Sequence, residues 1–365
     1  DVSWSAVPNA SSYTIKLYDS TGSGTALATV STSGTSRSLT TADYASFADL
    51  TLYTVSVQAI GGTNYQDSTE SATTSVRTRG LPQSITVDTA GVVDATGVWI
   101  DGTWYTATNG TSRVTPTAIQ NQMSAANATL QSAGGIAVSS PVTSTNMSRS
   151  LTITSTGDAV SLNSNGSISI AGDLRVSGTN VTLGANAISS GGKIVIKASG
   201  NITVDSAKII RTDGSDLTLW SNSAGGSGRI QVAENACLST IGTCTEVSSG
   251  KSGSIYLGGG VGAGDIPSGS VSSSNDIGIR LGSADLTTGG VKILAGAGDI
   301  SINGESAVFQ GIRAVHPVTI KSTTGAISLT GKTSQSDAES VYTALIFGDG
   351  QSLSLIHISE PTRPY

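Results

Sequence analysis

The chain has 365 residues, 37% of them hydrophobic, 4% aromatic and 12% charged, with 45 glycines and a formal net charge of −6. So little charge beside so much Val, Ile and Leu excludes a disordered polyelectrolyte. The acidic balance argues against nucleic acid as a partner, which requires clustered Lys and Arg, and no run approaches 18 apolar residues, so no membrane insertion is expected.

The length fits two or three domains. A core drawn from small and β-branched side chains favours pleated sheet over helix packing. The sequence opens on "DVSWSAV" with neither a Met nor a leader, which leaves its location unread.

Residues 1–79 read as short strands. "DVSW" and "SYTIKLYDS" are separated by the turn-like "AVPNAS". In "LYTVSVQAIGG", Tyr53, Val55, Val57 and Ala59 alternate with Thr54, Ser56 and Gln58, the period of a half-buried antiparallel strand. Strands at this spacing suggest a β-sandwich.

Trp4 with "VPNASSYTIKLYD", then "FADLTLYTVSVQAIGG" and "DSTESATTSVRT", resembles a fibronectin type III domain. The resemblance implies that Trp4 and Tyr13 are core aromatics and that the Tyr53 hydroxyl bonds back to the chain upstream. It also implies a first strand about a dozen residues before Trp4. Only three residues precede it, so a sandwich lacking that strand is expected. Such modules are mostly spacers, and the chain has no Arg-Gly-Asp to suggest otherwise.

"RTRGLPQ" (Arg77–Gln83) carries Gly80 and Pro82 and reads as a linker. "VWIDGTWYTATNG" supplies one or two strands. "TPTAIQNQMSAANATLQSAGG" then predicts a helix over about 116–130, with Thr115 as cap and Ile119, Met123, Ala126 and Leu130 on one face.

Beyond it a small motif, G-x-I-x-[ILV], recurs at Gly166, Gly192, Gly200, Gly228, Gly253, Gly298 and Gly325, with a Leu variant at Gly172. Two apolar residues flank one polar residue, so both point to one side of a short strand. The glycine is expected to permit a sharp turn into it. Strands this short need stacked neighbours, the logic of a solenoid. The irregular spacing suits a β-helix of roughly 20–28 residues per rung, about ten rungs over 130–350. Ile168, Ile170, Ile194, Ile196, Ile202, Ile230, Ile255, Ile300 and Ile327 are the predicted inward residues.

The helix followed by "GGIAVSSPV", "SLTITSTGDAVSL", "GSISIAGDLRVSG", "SSGGKIVIKASGNITVDS" and "DLTLWSNSAGGSGRIQV" resembles the repetitive shaft of filamentous-haemagglutinin-type bacterial surface adhesins, over residues 83–350. The expected fold class is therefore all-β: a truncated fibronectin type III-like sandwich (1–79), a linker with strands and the short helix (80–129), and a right-handed parallel β-helix (130–351). Residues 352–365 are expected to be a non-native tail. "LSLIHISEPTR" (Leu353–Arg363) is similar, residue for residue, to one translated frame of a transposase sequencing adapter, which implies no ordered role for it.

Candidate chemistry is sparse. Cys237 and Cys244 lack a nearby His for zinc and read as a local disulfide, with two free thiols as the alternative. "GGGVGAGD" (Gly258–Asp265) is similar to a calcium-binding nonapeptide, but Gly264 displaces its Asp and no second copy exists. No cofactor or metal is expected. The carboxylates Asp158, Asp173, Asp205, Asp213, Asp216, Asp276, Asp285 and Asp299 are scattered, mostly beside Gly in turns, and His316 has no evident partner. The sequons at Asn109, Asn180 and Asn201 match chance in so Asn- and Thr-rich a chain.

The leading expectation is a non-catalytic adhesin or structural stalk of a secreted or cell-surface bacterial protein, with glycans or other surface proteins as partners. The alternatives are a polysaccharide-active enzyme or carbohydrate-binding β-helix, and a surface-layer or matrix protein. An enzyme predicts a groove where three or more Asp, Glu, Lys or Arg side chains converge, and a stalk predicts none. A glycan binder predicts exposed aromatics, with Trp99, Trp104 and Trp220 the first to inspect.

Overall fold

The computed structural model describes residues 2–22, 24–48, 51–78, 82–89, 98–105, 111–245, 250–262, 264–274, 276–282, 290–315, 317–333, 345–347 and 353–357. The chain divides into two compact units, built mainly of Asp1–Leu81 and of Pro82 onward.

In the first unit the alternating segment becomes strand Leu52–Gly61. It pairs antiparallel with Ala10–Tyr18 and Thr74–Arg77, and Ala28–Thr32 completes a four-stranded sheet. Val2–Ser3 and Ser36–Arg37 form a separate antiparallel pair. Leu17, Tyr53 and Val55 are buried between them, with Tyr44 and Phe47 packed edge-on around the Tyr53 ring at 6.3 and 5.3 Å. The Tyr53 hydroxyl accepts a hydrogen bond from the Ala48 amide at 3.1 Å, which ties the strand to the chain upstream as expected. Tyr13 is buried as well, but Trp4 is not a core residue. It is half-buried and tilted against Tyr13, with ring centroids 5.3 Å apart.

Thr54 and Ser56 on the polar face of Leu52–Gly61 are buried, Thr54 donating to the Asp19 carbonyl at 3.0 Å and Ser56 joining a network centred on Glu70. The Glu70 carboxylate accepts from Lys16 at 2.5 Å, from Ser56 and from Tyr18 at 2.7 Å. Those donors, Lys16 foremost, lower its pKa from 4.5 to about 2. A depressed folded-state pKa gives a contribution complete above the unfolded value and lost as pH falls through the folded one. Thermal denaturation of the full chain is therefore expected to show the first unit weakening as pH falls from about 4.5 to about 2, and Glu70→Gln to reduce that dependence, the Asp19 and Asp43 carboxyls being lowered as well.

The second unit is a coil of parallel strands. Leu151–Ser155, Val160–Leu162 and Ile168–Ile170 make one rung, Leu174–Gly178, Val181–Leu183 and Ala187–Ser189 the next, and Ile194–Ala198, Ile202–Val204 and Ile209–Arg211 a third. Each strand pairs in parallel with its counterpart one rung on, which generates an 11-stranded, a 10-stranded and an 8-stranded sheet. Among the described residues eight three-stranded rungs run from Ala128–Ser132 to the one that begins at Ile327–Thr333, against the expectation of about ten.

The paired apolar residues stack in register. Leu151, Leu174, Ile194, Leu217, Ile255, Ile300 and Ile327 form one column, each directly over the last. Ile168, Ile170, Ile194, Ile196, Ile202, Ile230, Ile255 and Ile300 all lie in one continuous core reaching from Ile85 to Ile320. Ile327 is only half-buried against it.

The recurrent glycine has a different cause from the one expected. At Gly192, Gly253, Gly298 and Gly325 the backbone is outside the left-handed region. What excludes a side chain is the neighbouring rung: a Cβ on Gly298 would lie 2.1 Å from the Gly253 carbonyl oxygen, and one on Gly325 2.1 Å from that of Gly298. The glycines stack because successive corners nearly touch.

The same corners are stitched by side chains that bond the next rung's backbone. Asn127 accepts from the Ser150 amide at 3.0 Å, Asp173 from Lys193 at 3.0 Å, Asp216 from Ser254 at 2.8 Å and Asp299 from Ala326 at 2.7 Å. Asn180, Asn201 and Asn186 do the same for Asn201, Arg229 and Ile209 at 2.8, 3.0 and 2.9 Å. These groups satisfy amides that a turn leaves without a partner.

Three boundaries are corrected. The helix is Pro116–Ala125, capped by Thr115, and does not reach 130. Ala126 is extended, and Ala128–Ser132 forms a strand, because pairing with Leu151–Ser155 outweighs helix continuation. The coil begins at Ser84 and not at 130, since Ser84–Val87 sits between Thr111–Val114 and Ile136–Val138 in the 10-stranded sheet. In the tail, Leu353–His357 pairs with Val318–Ser322. Its alternating "LSLIH" suits an open ladder whatever its origin, and residues 358–365 lie outside the described residues.

The helix buries Ile119 and Met123 and packs beside Val142–Ser144, the first strand of the 8-stranded sheet. It thereby covers an edge that would otherwise template unwanted pairing. No helix among the described residues is long and apolar enough to cross a membrane.

Candidate functional site

In strands of this kind the middle residue points outward. On the 11-stranded sheet two outward rows result: Thr152, Arg175, Val195 and Thr218 in one, and Thr154, Ser177, Lys197 and Trp220 in the other. The chain after Ile255–Gly258 then leaves the rung and folds back across these rows as a strap. Its neck is closed by paired Gly259 and Gly269, whose amides donate to each other's carbonyls at 2.9 and 2.8 Å.

The strap delivers Asp265 onto the sheet. Its carboxylate takes both guanidinium nitrogens of Arg175, one at 2.9 Å, and the Lys193 ammonium. Asp173 lies 3.8 Å from the same guanidinium. Lys197 donates to the Gly264 carbonyl at 2.5 Å and sits over the Trp220 ring, 4.2 Å from its centroid. The Trp220 indole N–H donates to the Gly260 carbonyl at 2.7 Å, and Asn222 accepts from the Gly260 amide at 2.9 Å.

Electrostatics follow from those contacts. Hydrogen bonds from Arg175, then from Lys193, outweigh burial and hold the Asp265 carboxyl well below the usual carboxylate range. Burial pushes the Lys197 ammonium below its ordinary value. Asp265 is thus a fixed anion and not a proton donor at neutral pH. Beside it, Asp173, Gly191, Gly192, Lys193, Ser215 and Asp216 line an open depression of about 260 Å³. One oxygen of each aspartate there is already committed to a corner amide.

Arg175, Lys193, Asp173 and Asp265 meet on one face as mutually paired charges. The aromatic candidates are covered. Trp220 is fully buried beneath the strap, Trp104 is buried with its N–H on Ser112 at 2.9 Å, and Trp99 packs against the core. None is an exposed platform for a sugar ring.

Cys237 and Cys244 form a disulfide. It closes a short loop after strand Cys237–Ser239, and in the chain-entropy account such a loop contributes about 2–3 kcal/mol. Reduction, or C237S/C244S, is expected to lower the unfolding free energy of the coil by that amount, seen as a lower midpoint in urea titrations with and without dithiothreitol.

The remaining carboxylates work as corner caps or ion pairs, as with Asp213 and Lys251 at 2.9 Å and Asp276 with Arg229. Asp205 lies at such a corner, and Asp158 uses one oxygen on the Ala159 amide at 2.7 Å. Asp285, His316 and Asn109 lie outside the described residues. Among the described residues no group of His, Cys, Asp and Glu is placed to hold a metal ion.

Sequence reasoning missed Arg175, Lys193 and Lys197. The signal was present, because the outward positions of "GDLRV" and "GKIVIK" fall on adjacent rungs. Nothing in the sequence announced that Asp265, 90 residues from Arg175, would meet them.

The fold and this face define the class: an all-β chain whose larger unit is a three-sheet parallel β-solenoid carrying a strapped cationic patch. No family model, curated protein or solved structure matches the chain.

Proposed function

We propose that the chain belongs to an exported bacterial surface protein and acts as a non-catalytic adhesin or structural stalk, a right-handed β-helix preceded by a fibronectin type III-like spacer. The carrying observation is the single uninterrupted core from Ile85 to Ile320, with its corners stitched rung to rung. Such a stack resists local opening, which is what a load-bearing element needs. The strand order of the four-stranded sheet and the Tyr53 hydroxyl contact support the spacer reading. The disulfide supports an oxidising, extracytoplasmic setting. Glycans or other surface proteins are the proposed partners.

A second reading, a polysaccharide-active β-helix, draws on one observation, the depression lined by Asp173, Lys193 and Asp216. Incubating the full chain with a panel of neutral and acidic polysaccharides separates the two. No new reducing ends or unsaturated uronates are expected above a heat-denatured control. Product formation that disappears in Asp216→Asn would overturn the stalk reading in favour of the enzyme.

A further inference from the structure

The strap contact has the form of a ligand contact. The strap's carboxylate is gripped on two sides by a guanidinium, which Asp173 also approaches at 3.8 Å, and an ammonium, next to an indole that a third cation overlies. The strap is held there by charge and by hydrogen bonds to Gly260 and Gly264. Its large apolar side chains take little part: Val261 is 69% and Ile266 51% exposed. Gly264 is exposed, and a Cβ there would meet nothing within 4 Å, so no packing holds the strap at the residue before Asp265 apart from the Lys197 bond to its carbonyl.

The Arg175 and Lys193 side chains keep 36% and 35% of their surface exposed, so a competing anion can reach both cations from the solvent side, and Asp265 is the partner it must displace. Lifting the strap would also bare Trp220, a large apolar surface that apolar packing elsewhere in the coil does not need.

We infer that Arg175, Lys193, Lys197 and Trp220 form a binding site for carboxylate-bearing polysaccharide, and that Asp265 of the strap occupies it as an internal stand-in for the ligand's uronate group. The inference deepens the proposed adhesive function and rests on its glycan-contact part. Arg175 takes the carboxylate in two parallel hydrogen bonds, a geometry that a planar fork gives and a point charge does not. With the strap lifted, the part of the indole that Gly260 and Gly262 now cover becomes apolar surface for a sugar ring, beside the Lys197 ammonium that overlies the ring.

Ser177 and Thr154 continue the row from Lys197 along the sheet, with Ser177 donating to Thr154 at 3.0 Å. They supply hydroxyls spaced by the roughly 4.8 Å distance between strands. An acidic peptide fits less well, because peptides usually add to a sheet through a free edge. Every strand under this row is paired on both sides.

The test uses the full chain, with polygalacturonate as probe, in calorimetric titrations at low salt. Asp265→Asn takes the strap carboxylate away from Arg175 and Lys193, leaving Arg175 only Asp173 at 3.8 Å, and is expected to bind at least about tenfold more tightly than the unaltered chain, or about 1.4 kcal/mol. Adding Arg175→Gln to it is expected to abolish the gain, and neutral dextran to bind neither. Equal affinity of the unaltered chain and Asp265→Asn, at unchanged circular dichroism, would overturn the site. So would an equal gain with dextran sulfate, which would mark an unselective cationic patch.

Hydrogen exchange on the unaltered chain needs no variant to fold. Polygalacturonate is expected to accelerate exchange at the strap amides of Gly259–Gly269 and to slow it in Ile194–Ala198. No change at either place refutes the proposal. Unsaturated or reducing products in the same titration would overturn the non-catalytic reading while leaving the site standing. Absence of binding removes the site and leaves the stalk.

Discussion

Ile196→Asp is expected to prevent the second unit from folding, and Ile196→Ala to destabilise it by about 2–5 kcal/mol, read as the urea midpoint of circular dichroism. Ile196 has no exposed surface and belongs to the shared core, between Val176 of the rung before and Leu219 of the rung after. Truncation leaves a cavity that two rungs must share, and neither can collapse without breaking register. A carboxylate there has no donor within reach, so its desolvation is uncompensated. Thr182, the outward residue of Val181–Leu183, is the control. Its replacement by Ala is expected to change stability by less than about 0.5 kcal/mol. If Ile196→Asp folds with an unshifted midpoint, the single-core account fails.

Gly192 gives the second large effect, for a different reason. A Cβ there would lie 2.2 Å from the Gly172 carbonyl carbon and 2.3 Å from the Asp173 amide nitrogen. Those are backbone atoms of the adjacent rung and cannot rotate away. Gly192→Ala is expected to cost about 1–3 kcal/mol and Gly192→Val more. Gly250, where a Cβ would meet nothing within 4 Å, is the informative comparison. Replacing it with Ala is expected to be neutral or to stabilise by up to about 1 kcal/mol, because the unfolded chain loses freedom. Equal losses at the two positions would show that glycine serves chain flexibility and not close approach.

This contrast also shows where sequence and structure part. The pattern of two aliphatics around one polar residue placed Ile168, Ile194 and Ile230 in a common interior, because period two leaves strands no other way to bury them. The glycine before each pair was equally visible, yet its reason lay in the neighbouring rung, which no local rule describes. "SITV" carried the same alternation without a glycine, so the first strand of the coil was overlooked at Ser84–Val87. The helix was extended too far because Leu130 continues the spacing of Ile119 and Met123, and spacing alone cannot report that a partner strand awaits at Leu151–Ser155.

The strapped patch was the least legible part. Lys197 and Arg175 are outward by alternation, which a reading of the middle residues could have found. The contact with Asp265 depends on the path of an irregular excursion, and excursions obey no period. Trp220 stands at the end of strand Leu217–Trp220, in an outward position, and the strap that buries it comes from 40 residues later.

The corner bonds from Asp173 to Lys193 and from Asp216 to Ser254 run from one turn to the chain that follows it. A newly added turn thus finds its acceptors already in place, while an isolated one lacks them. Ordering can therefore start at any rung and spread to its neighbours, each finished turn lowering the cost of the one laid against it.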